Sequence, residues 1–103
     1  MTEIAKKEEK KGLVVFSKAY KFEGAEYSEI DLSRIEDLSA RELCEVEKRF
    51  ETGGNFSALK EMNLTYALYV ATVVSGLPIE FFQMLRAKDA LKIKNVVSAS
   101  FFE

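Results

Sequence analysis

The sequence predicts an α+β domain, a small N-terminal β-hairpin or sheet followed by a compact bundle of about four helices. Two patterns carry this reading. Around Gly24, Tyr20 and Phe22 alternate with charged residues, the two-residue period of a half-buried strand. From Leu38 onward, apolar residues recur every three or four positions, the period of a helix with a buried face. The chain has 103 residues, 48% of them hydrophobic and 31% charged, which fits one globular domain with a modest core.

Residues 1–11 mix lysine with glutamate and read as a flexible charged tail. Residues 12–103 then form the single domain, with 12–33 as hairpin or sheet and 39–103 helical. Leu13-Val14-Val15-Phe16 reads as an edge strand. In the hairpin that follows, Gly24 supplies the turn. The alternation slips between Tyr27 and Ile30, which marks a bulge or a frayed register. Two strands alone are marginal, so the hairpin must lie on helices or on a third strand.

The first helix has a clear start. Ser39 is a capping residue, Glu42 stands three positions later, and Leu38 and Leu43 occupy the staple positions. Leu43, Val46 and Phe50 share one face. Thr52-Gly53-Gly54-Asn55 ends the helix, with glycine taking the left-handed conformation, and Phe56 and Leu59 anchor the connection to the core. Asn63 or a neighbour caps the next segment, LTYALYVATVVSG, which Gly76 stops. It carries two apolar faces, one with Leu64, Leu68, Ala71 and Ser75, the other with Tyr66, Tyr69, Val70 and Val73. A helix apolar nearly all round is either central or shares a face with another chain. Pro78 opens a short helix, PIEFFQML. Asp89 stands near the positive end of the last helix, whose Ala90, Ile93, Val97 and Phe101 form a stripe.

Composition narrows the function. The formal charge is −2 with no basic block, which argues against nucleic acid as a partner. Cys44 is the only cysteine and histidine is absent, so a disulfide within the chain and a Cys/His zinc site are both excluded. Cys44 reads as a small buried apolar residue. The start lacks a signal-peptide core, and ALYVATVVSGLPI is too short to span a bilayer. The cytoplasm, with no membrane partner, is the expected setting.

Catalytic chemistry finds little foothold. Without histidine no Ser-His or Cys-His pair can form, and Glu42, Glu45 and Asp89 read as caps or solvated surface. Gly53-Gly54 lacks the lysine and hydroxyl residue of a phosphate-binding loop. DLSRIED lacks the alternating oxygen ligands of a calcium loop. The expectation is a protein that is not an enzyme and has no cofactor and no metal.

Aromatic residues are the distinguishing material. Phe22, Phe50, Tyr66, Phe81, Val97 and Phe101 read as core. Adjacent helical residues point about 100° apart, so Phe81-Phe82 and Phe101-Phe102 cannot easily turn both rings to one core. Tyr69, Phe82, Leu91 and Phe102 compete in direction with the core residues and are the candidate protein-interaction residues.

Four stretches, spread over residues 18–102, carry a resemblance: YKFEGAEYSEIDLS, LSARELCEVEKRF, YALYVATVVSGLP and AKDALKIKNVVSASFF. Their order and spacing resemble the small tail assembly chaperones of long-tailed bacteriophages and prophages. In the last stretch Asp89, Leu91, Val97, Phe101 and Phe102 hold the places of that family's aspartate, leucine and terminal apolar pair. The first strand departs from the family pattern, with Ala19 where a proline is more usual.

The resemblance implies a non-enzymatic chaperone of tail morphogenesis. It would bind the phage tape-measure protein and keep it soluble, with the tail-tube protein and a second copy of the chain as further candidate partners. It would act in the host bacterial cytoplasm and be absent from the mature virion. Two rival readings stay open: a structural or self-assembling tail or adaptor protein, and a small phage regulatory protein.

Overall fold

The computed structural model describes residues 12–55 and 63–101. The elements follow as β1 (Leu13–Phe22), β2 (Ala25–Asp31), a 3-10 turn (Ser33–Asp37), α1 (Ala40–Thr52), α2 (Leu64–Ser75), α3 (Ile79–Gln83) and α4 (Ala87–Phe101). The hairpin followed by four helices is the α+β arrangement read from the sequence. The charged tail, the anchors Phe56 and Leu59, and Phe102 fall outside the described residues.

Glu23 and Gly24 both have positive φ, 50° and 84°, the geometry of the two-residue turn whose twist matches paired antiparallel strands. β1 is longer than expected, since Leu13–Phe16 runs directly into the first hairpin arm. The pairing has two registers. Near the turn Tyr20, Lys21 and Phe22 face Tyr27, Glu26 and Ala25; farther out Val15, Val14 and Leu13 face Glu29, Ile30 and Asp31. Between the two blocks β1 has residues 16–19 where β2 has Ser28 alone. The slip falls where the alternation breaks, and the extra residues belong to β1. They turn Lys18 outward while Phe16 and Tyr20 stay buried.

The helix ends are set by local chemistry. Ser39 accepts from Glu42 N–H, and the Glu42 carboxylate accepts from Ser39 N–H, a complete capping box. Those bonds and Arg34 beside it hold the Glu42 carboxyl below its ordinary range. At the other end of α1, Gly53 keeps an ordinary φ of −76° and Gly54 takes the left-handed one, +85°. Gly54 N–H donates to Glu51 O and Asn55 N–H to Phe50 O, the paired bonds of a Schellman closure. Asn63 caps α2 by accepting from Tyr66 N–H, and left-handed Gly76 ends it.

α2 is the central helix. Tyr66, Ala67, Leu68, Val70, Ala71, Thr72 and Val74 are buried, because α1, α3 and α4 all pack against it. Val46 and Phe50 of α1 and Ile93 and Val97 of α4 reach zero exposure on the same core. Arg34 ties the 3-10 turn to this bundle, donating to Val74 O at 2.9 Å and to Glu42 Oε2 at 3.1 Å.

Cys44 is exposed and not a core residue. It lies about 200° around α1 from Val46, opposite the buried stripe. Phe22 and Phe101 are half-buried against the core instead of enclosed by it.

Candidate functional site

The three candidate interaction residues among the described residues, Tyr69, Phe82 and Leu91, do not form one surface. Phe82 must be corrected: it has zero exposure, as does Phe81. α3 is a single turn inserted between the hairpin and α2, so it has two buried sides. Phe81 packs its ring against Phe16, Phe22 and Tyr27 of the hairpin. Phe82 meets the edge of the Phe81 ring at 5.1 Å between centroids and is sealed by the core cluster. Glu80 and Gln83 take the outward directions. The angular argument for an exposed ring fails because α3 is flanked by packed layers.

Leu91 is 47% exposed on the outer face of α4. Tyr69 is half-buried on α2, its ring standing edge-on to Phe50 at 6.4 Å. It lines a cleft of about 440 Å³ between α1 and the α2–α3 junction, to which Leu91 does not contribute. On the α1 side stand Glu45, Lys48 and Arg49, all exposed. On the other side Tyr69 and buried Thr72 of α2 adjoin Pro78 and Ile79. The cleft has a charged rim and a mostly apolar floor.

Two local features shape it. Arg49 Nε donates to Glu45 Oε2 at 3.0 Å, one turn away, so that pair is neutralised within α1. Gly53 closes the end: a Cβ there would lie 2.9 Å from Tyr69 Oη and 3.1 Å from Asn55 Nδ2. The missing side chain lets the tyrosine hydroxyl approach the α1 terminus. The two glycines therefore serve different purposes, Gly53 for close approach and Gly54 for backbone conformation.

A second cluster escaped the sequence reading. Asp89 is fully buried, neither a solvated surface residue nor a simple cap. Ser17 N–H donates to its Oδ1, Ser17 Oγ–H and Tyr20 Oη–H donate to its Oδ2, and Lys92 Nζ stands 3.6 Å away. Tyr20 Oη also accepts from Arg86 N–H at 3.0 Å, satisfying a donor at the start of α4. Burial pushes the Asp89 carboxyl up, but the bonds from Tyr20 and Ser17 with the charge of Lys92 bring it below the ordinary range. Burial and the same carboxylate push the Tyr20 hydroxyl up.

The cluster is structural in form. The carboxylate and phenol are enclosed, and every buried side-chain nitrogen or oxygen among the described residues has a hydrogen-bond partner. Its sequence signal was faint: Asp89 is one of 17 acidic residues, and the partners lie about 70 positions earlier.

Among the described residues no group of three or more His, Cys, Asp or Glu side chains is placed to hold a metal ion. No helix among them is long and apolar enough to cross a membrane. No protein-family model, curated protein or solved structure matches the chain.

Proposed function

We propose that this protein is a non-enzymatic tail assembly chaperone that binds the tape-measure protein of a long-tailed phage and keeps it soluble during tail construction. The observation that carries the reading is the cleft beside Tyr69, an apolar floor open to solvent between α1 and α2. The sequence resemblance over residues 18–102 supports the same role. A long tape-measure chain exposes apolar helical stripes before assembly, and such stripes aggregate when uncovered. A groove between helices covers them by taking the apolar face of a client helix. A small cleft with few anchors gives modest affinity, which suits a partner that must be released to the tail tube.

The test is co-production of the tape-measure protein from the same phage genome with and without this chain. The expected result is a soluble tape-measure protein that co-purifies with the chaperone only when both are made. An equally insoluble tape-measure protein in both cultures overturns the reading. Rings or tubes of the purified chain, or its presence in finished particles, would favour a structural tail protein instead.

A further inference from the structure

We infer that the cleft between α1 and α2 selects an acid-flanked amphipathic helix, seating one of its apolar side chains beside Tyr69 and pairing a neighbouring carboxylate with Lys48. The cleft is open to solvent, and its volume of about 440 Å³ has room for an apolar side chain laid against its floor. Tyr69, Thr72, Pro78 and Ile79 offer an aromatic ring, a methyl group and aliphatic carbon to such a side chain.

Charge decides what may flank it. The rim holds two cations and one anion, and the anion is already bound to Arg49. Lys48 has no acidic partner among the described residues, so the rim presents a positive charge next to the apolar floor. An approaching helix with carboxylates one turn from its anchor gains attraction there, and one with lysines meets repulsion.

The same argument disfavours a second copy of this chain that would dock through Leu91. Among the described residues the exposed large apolar ones are Val15, Met84 and Leu91. Lys88 and Lys92 flank Leu91 in sequence, and Arg86 follows Met84 by two positions. The Lys92 ammonium reaches the carbonyl of Val15 at 2.7 Å. Leu91, with Lys88 one turn before it, would therefore bring a cation to a cationic rim, whereas Val15 stands opposite Glu29 and its neighbour Lys92 is already paired with Asp89. The inference rests on the chaperone reading only for the source of the helix; the acid preference belongs to the cleft.

The test uses the whole chain and two labelled helical peptides of about 18 residues, long enough to hold helix on a surface. They share one apolar stripe and differ only in flanking glutamates or lysines. The glutamate peptide is expected to bind roughly fivefold more tightly, the scale of one exposed charge pair turned from attraction to repulsion. That preference should shrink between about 0.1 M and about 1 M salt as screening shortens. Lys48→Glu, an exposed change, should abolish or reverse it without altering thermal unfolding.

Equal binding of the two peptides, no binding of either, or a preference untouched by Lys48→Glu overturns the inference. So does self-association of the chain that Lys48→Glu abolishes. The two readings fail separately. A tape-measure protein kept soluble equally well by Lys48→Glu removes the acid-selective cleft and leaves the chaperone. Peptide selectivity without any effect on the tape-measure protein does the reverse.

Discussion

Ser17 gives both its backbone N–H and its hydroxyl to the carboxylate of Asp89, at 2.8 and 2.9 Å, across 72 positions of chain. Ser17 lies in the irregular stretch of β1 between the two registers, with its amide directed away from β2 and toward α4. A strand irregularity and a buried charge thus satisfy each other.

Stability should fall at both ends of the pH scale. The Asp89 carboxyl is held below its ordinary 3.8, so its contribution is complete above that value and is lost as pH drops through the lower folded one. The Tyr20 hydroxyl is raised above 10.0, so its contribution is complete below that value and is lost as pH rises through the higher folded one. Urea unfolding should show Asp89→Asn less stable by about 2–3 kcal/mol at neutral pH, with a flatter acid limb. Tyr20→Phe should flatten the alkaline limb. An acid limb unchanged in Asp89→Asn would assign it to other carboxylates.

Two residues that looked alike in sequence should behave oppositely. Phe82→Ala empties a fully enclosed position and should cost about 3–5 kcal/mol. Leu91→Asp alters an exposed position and should stay within about 0.5 kcal/mol of the natural chain. Thermal or urea unfolding of both variants checks the contrast. Leu91→Asp matching the loss of Phe82→Ala would mean that Leu91 is covered in solution.

Gly53 and Tyr69 should be coupled. Gly53→Ala has no backbone strain to overcome, since φ is −76°, but the new methyl meets Tyr69 Oη. The single substitution should cost about 1 kcal/mol, and Tyr69→Phe should restore most of it by removing the obstructing oxygen. A double-mutant cycle in urea measures the interaction directly. Strict additivity would show that the tyrosine moves aside freely, or that Asn55 is the obstacle.

What could be read in the sequence was written in short-range chemistry. Gly24, the Ser39–Glu42 box, Asn63 and Gly76 each act on neighbours within a few residues, and each stands where local reasoning puts it. The central place of α2 was one of two readings that its nearly all-apolar circumference allowed, the other being a face shared with another chain. Cys44 could have been placed outside from its angle to Val46 and Phe50, since helix geometry needs no tertiary knowledge. Phe82 could not: the angle between adjacent rings was right, but the sequence does not say that α3 has packed layers on two sides. Asp89 was hidden for a similar reason. Its partners come from a strand distortion that local alternation locates only loosely and cannot aim. The cleft owes its shape to Gly53, which sequence reasoning took for a helix stop alone.

The bond between β1 and α4 also dictates a timetable. A chain emerging from the ribosome exposes Ser17 and Tyr20 long before Asp89 exists to receive them. Until then the hairpin keeps an unanswered amide and phenol at its bulge, and water must serve in place of the carboxylate. The hairpin is made well before α4 and completed only with it, so a transcript cut short before α4 yields a hairpin without its mooring.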